Sequence, residues 1–316
     1  MERNHTPQHG NFHKYYLTRP TTSHDPRLAL LPPNFFKDKR VLDVGCNEGL
    51  VTLEIAQEWG AAEVLGVDVD EELVTAARER RRLRWSLQHP EDHDAALIPG
   101  SFHQMNGNVD SQSRGNGGPS ALGQGRRNDH FPASMPHMFG PLPLPPAPSI
   151  SDDEGKSTSQ NAKWPYNVSF RCLDYSSAPV LEDEKGWDVI LLLSVAKWLH
   201  LNGGDQGLLS CFKRIHDSLR PHGALVLELQ DWEGYRRAAR GNPILRETYK
   251  TLSLRPSDFK LCLLQEVGFQ RVEHLGISDG TSKLLFSPGY LDGSNADIGE
   301  LGARRRAVDV YYKVGQ

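Results

Sequence analysis

The segment Asp43-Val44-Gly45-Cys46-Asn47-Glu48-Gly49 sets a carboxylate, an amide and two glycines in a short loop behind an apolar run. Glycine has no Cβ, so its backbone tolerates tight turns and approaches a ligand closely. Asp68 closes the next apolar run, nineteen residues after Gly49 (68 − 49). A carboxylate there can accept hydrogen bonds from both hydroxyls of a ribose. Spacing discriminates between ligands. A dinucleotide site uses G-x-G-x-x-G to hold pyrophosphate on a helix N-terminus, whereas Gly45 and Gly49 have no third glycine in that register. The competing explanation is a structural strand-to-helix turn with a surface Asp68, but a doubly wound sheet generally binds a ligand at this crevice.

The loop needs a strand before it and a helix after it. Arg40 to Gly45 reads as a buried strand and Leu50 to Trp59 carries apolar residues at helical spacing. Glu63 to Asp68 reads as a second strand, and Asp70 to Trp85 as a helix with Asp70 as N-cap and Glu71 and Glu72 in its first turn. Further strands are expected at Asn167 to Cys172, Trp187 to Ser194 and Ala224 to Leu229, with helices at Asp205 to Leu219 and Pro256 to Glu266. This alternation implies an α/β fold, a mostly parallel sheet with helices on both faces. The tail from Arg306 to Lys313 has strand character and is expected to close the sheet edge.

From about Pro90 to Lys163 the composition shifts to Gly, Pro, Ser, Asn and His without periodicity, and a disordered insertion is expected. Its run Pro141-Leu142-Pro143-Leu144-Pro145-Pro146 suits a proline-recognising groove or a solvated spacer. The net charge of −4 excludes a polycation, so any nucleic-acid contact must come from a local patch. Arg78, Arg80, Arg81, Arg82 and Arg84 form such a patch, placed to track an RNA backbone or to sit solvated at a helix C-terminus. His5, His9 and His13 recur every four residues, but no helix is signalled there and no carboxylate joins them, so no metal site is expected. Cys46, Cys172, Cys211 and Cys262 form no CxxC pair and read as free thiols. With no apolar leader and no run able to span a bilayer, the expectation is an intracellular protein, nuclear or cytoplasmic.

The glycine loop resembles the D-x-G-x-G-x-G loop of class I methyltransferases, with Asn47 in place of the middle glycine. Other segments narrow the resemblance: His9 to Tyr16 followed by Asp25-Pro26-Arg27-Leu28, Cys46-Asn47 after Gly45, Ser194 to Asn202 running on to Gly204-Asp205, and Leu219-Arg220-Pro221 through Leu227 to Trp232. Weaker matches are Leu254-Arg255-Pro256, Val267-Gly268-Phe269 and Thr281-Ser282-Lys283. Together these resemble the bicoid-interacting-protein-type RNA methyltransferases. The stretch from Asp292 to Gly302 departs from that pattern.

The resemblance implies a class I methyltransferase Rossmann-like sheet with an antiparallel strand near the edge, an amino-terminal lid over residues 1–39, and the cofactor S-adenosylmethionine. It implies a cofactor site of Tyr16, Arg27, Gly45, Cys46, Asn47, Asp68, Val69, Asp174, Tyr175 and Leu193, to which Asp43 and Gly49 of the loop are added. Arg27 would hold the cofactor carboxylate, Tyr16 would lie beside the sulfonium and Asp174 would accept from the adenine amino group. The implied reaction is O-methylation of the 5′ terminal phosphate of a small RNA by a monomeric enzyme. A phosphate oxygen is already anionic, so the protein must align it and supply cations rather than a strong base. Candidates are Lys197, Lys14, Tyr15, Arg19, His200 and Lys283. Lys197 leads, because the carboxyl end of its strand faces the methyl in this fold; His200 is as readily a packed imidazole. Two alternatives stand beside this: methylation of nitrogen, although Ser194-Val195-Ala196-Lys197 lacks the Asn/Asp-Pro-Pro-Tyr/Phe pattern of such enzymes, and a non-catalytic RNA-binding scaffold.

Overall fold

The computed structural model describes residues 9–10, 24–89, 130–132, 134–146, 163–277 and 306–315. They fall into two compact units, one from the chain up to Arg80 and from Ser159 onward, the other from Arg81 to Thr158.

In the first unit, seven strands make one sheet: β1 (Arg40–Val44), β2 (Glu63–Asp68), β3 (Val168–Cys172), β4 (Trp187–Leu193), β5 (Leu219–Glu228), β6 (Arg271–Ile277) and β7 (Ala307–Tyr312). Their order is β3-β2-β1-β4-β5-β7-β6. The first five run parallel, and β7 is antiparallel to both β5 and β6. The centre is apolar because it is covered on both faces: every residue of β1 is buried, as is every residue of β4 except Asp188. Leu208, Phe212 and Ile215 of the helix after β4 complete one face of the core with Leu42, Ile190 and Leu225.

Helices α1 (Leu50–Glu58) and α2 (Glu71–Ser86) follow β1 and β2. Asp70 starts α2 as expected, its Oδ1 accepting from the N–H groups of Glu72 (2.9 Å) and Leu73 (3.2 Å). Within the Arg81–Thr158 unit, α3 (Ser134–Phe139) is a short helix where the sequence shows no periodicity. The proline run beside it is tied down at two points: Leu142 N–H donates to Ser86 Oγ (2.6 Å) and Arg82 donates to Pro141 O (3.3 Å). The rest of the expected insertion is largely outside the described residues.

Four features differ from the sequence reading. The carboxyl-terminal strand does not close the edge; it slots between β5 and β6. The edge is β6, whose Glu273 and His274 are exposed and interrupt its apolar pattern. The helix α4 (Ala196–Ser218) begins nine residues before Asp205 (205 − 196), with a break at Gly204 (φ 66°, ψ −173°) that hides its first turns from a periodicity reading. Finally, α5 (Trp232–Gly241) and α6 (Pro243–Thr251) were not expected. Each is short, and its local signal lies in its caps: Asp231 Oδ1 accepts from Gly234 N–H (2.7 Å), and Asn242 Oδ1 from Ile244 N–H (2.9 Å) ahead of a first-turn Pro243. Past them, α7 (Phe259–Cys262) sits in the helical stretch read from Pro256. No helix among the described residues is long and apolar enough to cross a membrane, and all four cysteines are free.

Gly49 caps α1 at φ 73°, and a Cβ placed on it would lie 2.8 Å from Phe170 Cε1 and 2.9 Å from Ala77 Cβ. Gly49→Ala therefore combines a left-handed penalty with overpacking, together about 2–4 kcal/mol. We expect its Tm to fall by roughly 5–10 °C. Gly60→Ala shares the positive φ of 67° but meets its nearest atom only at 3.8 Å, so in thermal unfolding it should lose less than half as much.

Candidate active site

The carboxyl ends of β1 to β5 enclose a cavity of about 400 Å³, a size suited to a small-molecule ligand. One wall is built from the loop after β1. Gly45 turns at φ 75°, and a Cβ there would meet Val195 Cγ2 at 2.6 Å, so only glycine lets this loop lie against the loop after β4. The N–H groups of Gly45 and Cys46 both donate to Val67 O (2.8 and 3.0 Å). Asn47 itself has a positive φ of 51°, a conformation that Asn tolerates better than most residues. Its N–H donates to Asp68 Oδ2 at 2.8 Å, while Asp70 N–H donates to Asp68 Oδ1 at 3.1 Å. The carboxylate is held in one orientation at the cavity wall by these backbone donors.

Asp174 lines the same cavity just past β3. Burial alone would raise its pKa, but donors from Ser176 N–H (2.9 Å), Ser176 Oγ (2.6 Å) and Ser177 Oγ (3.0 Å) outweigh it and hold the carboxyl below its usual value. It stays an acceptor. Between these carboxylates, Val69, Leu173 and Leu193 supply aliphatic wall. Tyr175, also on the lining, is buried with its ring 4.0 Å from the Arg214 guanidinium. Two fixed acceptors flanking an apolar slot fit a nucleoside: a ribose against Asp68 and a base near Asp174.

The opposite wall is the loop from β4 into α4. Gln230, beyond β5, uses both ends of its amide on it: Nε2 donates to Ser194 O, and Oε1 accepts from Lys197 N–H (2.9 Å). Lys197 lines the cavity, its Nζ 4.3 Å from the Trp198 ring centre. Trp198 is packed in turn against Leu201, Tyr235 and Leu245, so α5 and α6 brace the Lys197 loop from behind. Gly10 lies flat against Trp198, where an added Cβ would come within 2.0 Å of the indole.

Gly45, Asn47, Asp68, Val69, Asp174, Tyr175, Leu193 and Lys197 are thus gathered at one cavity. Five of the expected site residues sit elsewhere. His200 is fully buried, its Nε2 2.7 Å from Asp205 Oδ1 and its Nδ1 3.3 Å from the Tyr235 hydroxyl. Burial pushes its pKa down against the pull of Asp205, and it joins α4 to α5 rather than facing a substrate. Arg27, expected at the cofactor carboxylate, is also buried; it grips both Asp25 oxygens (2.8 and 2.7 Å) and Glu228 Oε2 (2.7 Å) and is not on the lining. Cys46 is buried beneath the loop, where desolvation and then Asp43 and Asp68 hold its thiol well above the ordinary range. Gly49 serves packing, as above, and Asp43 accepts from Thr52 Oγ1 (2.6 Å) below the cavity floor. Three arginines of the basic run of α2 bind the protein itself: Arg78 binds Glu71 and Phe170 O, Arg80 binds Glu48 and Arg82 binds Pro141 O. Tyr16, Lys14, Tyr15, Arg19 and Lys283 lie outside the described residues.

Ser194, Gln230, Trp198 and Arg306 line the cavity without having been singled out. For Gln230 the signal was present. A buried strand that ends in Glu228-Leu229-Gln230-Asp231 carries polar groups where strands usually stop at a ligand. Arg306 had only its basic neighbours Arg304 and Arg305 to mark it.

Comparison with known proteins divides along the same line. A general methyltransferase-domain family matches residues 41–105, the half holding the glycine loop and Asp68. The family described as bicoid-interacting protein 3 (Bin3) matches residues 187–287, the half holding β4, the Lys197 loop, β5, α5 and α6. A probable RNA methyltransferase of Arabidopsis thaliana is 32% identical over 278 residues, covering 87% of this chain and 76% of that protein. The chain belongs to the bicoid-interacting protein 3 family. The Homo sapiens 7SK snRNA methylphosphate capping enzyme is 34% identical over 288 residues, 90% of this chain and 39% of that protein. The Drosophila melanogaster U6 snRNA methylphosphate capping enzyme Amus is 29% identical over 86% of this chain and 70% of its own length. The chain thus spans about two fifths of the human relative. In this Bin3 member the sheet is the class I methyltransferase sheet, with the antiparallel strand β7 next to the edge.

Asp43 gives a pH test of the cavity floor. Its burial raises the carboxyl to about 6, against opposing contributions from Thr52 and Arg27. A folded-state pKa above the unfolded one means that the protonated form favours folding, and that this stabilisation is lost as pH rises from about 4 through 6. Asp43→Asn cannot ionise and can still accept from Thr52. Its stability relative to the parent should therefore climb over that window, by an amount on the order of 1–3 kcal/mol, and level off above it. Urea unfolding at a series of pH values checks this; a difference that stays flat between pH 4 and 7 would refute the buried, raised carboxyl.

Proposed function

We propose that this protein transfers methyl from S-adenosylmethionine to an oxygen of the 5′ terminal phosphate of a small non-coding RNA. The observation that carries the reading is the convergence on one cavity of two nucleoside-fitting carboxylates, Asp68 and Asp174, with Lys197 on the facing wall. Membership of the Bin3 family, and the methylphosphate capping named for its human and Drosophila relatives, support the phosphate as acceptor.

When bound, S-adenosylmethionine supplies an electrophilic methyl on a sulfonium. The chain's own residues do the remaining work. Asp68 orients the ribose, and Asp174 with Val69 and Leu193 accommodates the base. Lys197 holds the anionic acceptor at the β4 end, where its backbone is fixed by Gln230. No side chain needs to remove a proton, because the attacking oxygen is already ionised; the rate then depends on alignment and charge.

Incubation with labelled cofactor and RNAs ending in 5′-triphosphate, 5′-monophosphate or 5′-hydroxyl tests the acceptor. Label is expected on phosphate-ended RNA alone, and equal labelling of 5′-hydroxyl RNA would exclude the terminal phosphate. Lys197→Ala should cut kcat by roughly 10²-fold or more while S-adenosylhomocysteine affinity, measured by calorimetry, stays within about two-fold. Parallel loss of both would put Lys197 in the cofactor shell instead.

A further inference from the structure

Arg306 directly precedes β7. Since β7 runs antiparallel to β5, its first residues lie beside the carboxyl end of β5: Val308 pairs with Glu228, and Leu229 N–H donates to Ala307 O (3.3 Å). The topology therefore delivers Arg306 to the cavity wall, alongside Gln230 and Lys197. Its Nη1 donates to Ser194 Oγ at 2.9 Å. Ser194 is an unusual anchor. Its φ is 65°, in the left-handed region that a non-glycine residue occupies only when held there. Two buried groups hold it, Glu228 accepting from its hydroxyl and Gln230 donating to its carbonyl. The hydroxyl proton goes to Glu228, so its lone pair is available to Arg306.

Sheet order separates two flanks of the cavity. Asp68 and Asp174 stand at the ends of β2 and β3, on one side of the Gly45 loop; Arg306 hangs from the β5–β7 side, beyond the Lys197 loop. A cation on that flank faces the acceptor rather than the nucleoside. A phosphate monoester carries nearly two negative charges at neutral pH, and Lys197 alone balances one. A guanidinium presents a planar fork that matches two phosphate oxygens at once.

We propose that Arg306 is a specificity-determining residue that recognises the terminal phosphate monoester of the RNA, aimed by the Ser194–Glu228 pair. This rests on the acceptor proposed above. Arg306 pairs with the two oxygens that do not react, leaving the third toward the methyl. In the transfer, a phosphate oxygen lone pair forms the new C–O bond, and the C–S bonding pair stays on sulfur as the sulfonium becomes a neutral thioether. The monoester dianion becomes a diester monoanion. A two-cation site then holds the product less tightly than the substrate, which favours release.

Arg306→Gln is the informative variant, since Gln keeps an N–H donor but carries no charge; Arg306→Lys keeps the charge and loses the fork. The direct reading is the affinity ratio between one RNA with a 5′-monophosphate and the same RNA with a 5′-hydroxyl, measured with S-adenosylhomocysteine present. We expect Arg306→Gln to shrink that ratio roughly ten- to hundred-fold, as for loss of a charge-assisted pair, with Arg306→Lys restoring part of it. S-adenosylhomocysteine affinity and Tm should stay close to the parent's. An unchanged ratio overturns the proposal, and so does a matching loss of S-adenosylhomocysteine affinity, which would assign Arg306 to the cofactor carboxylate. The binding ratio needs no turnover. A parent protein that prefers phosphate-ended RNA yet labels none of it would therefore defeat the methylation reading while leaving Arg306 as its phosphate contact.

Discussion

Glu228 ends β5 with its side chain almost wholly removed from water (1% exposed). A carboxylate so placed has lost its hydration and must be repaid by direct partners, and removing one partner of such a pair costs about 3–5 kcal/mol. Here the partners are Arg27, at 2.7 Å, and the Ser194 hydroxyl. Arg27 is itself buried and grips Asp25 with its remaining edge. One chain of contacts therefore runs from the amino-terminal segment, beneath the sheet's carboxyl edge, to the loop that carries Lys197 and the anchor of Arg306. The cavity wall that carries Lys197 depends on this buried charge being satisfied, since a loop residue at a positive φ relaxes when its holders are lost.

The two walls of the cavity are built on different principles. The wall after β1 and β2 uses glycine, which permits close backbone approach, and Asp68, which is locked by two backbone N–H groups. Those devices need few residues and little sequence, and the general methyltransferase match covers them. The wall that carries Lys197 instead needs β5, β7, α5 and α6 to converge. Gln230 holds the Lys197 loop from the front, and Trp198 is packed against α5 and α6 from behind. The Bin3 match falls largely on this half.

His200 and Arg27 show how residue type alone misleads. Both stand in segments that carry the family resemblance, and both offer groups that could act on an anion. Each is buried and held by carboxylates: His200 by Asp205, which also accepts from Ser253 N–H (2.8 Å), and Arg27 by Asp25 and Glu228. A sequence pattern records that a polar residue is required at a position. It does not record whether water, a ligand or another buried side chain satisfies it.

What the sequence by itself determined was local or periodic. The strand–loop–helix around Gly45, Asp68 at the end of its strand, the Asp70 cap and the parallel run from β1 to β5 all follow from apolar runs, glycine freedom and capping chemistry. The order of strands at the far edge, the pairing of β7 between β5 and β6, and the packing of α5 and α6 behind Trp198 were decided only by tertiary structure. Those contacts join residues far apart in the chain: Val308 with Glu228, Tyr235 with His200, Arg27 with Glu228. Their free energy comes from burial and charge pairing that exist only once the sheet has closed, so no window of sequence carries them. Arg306 is the clearest case, one arginine among three in a row until an antiparallel strand brings it to the cavity.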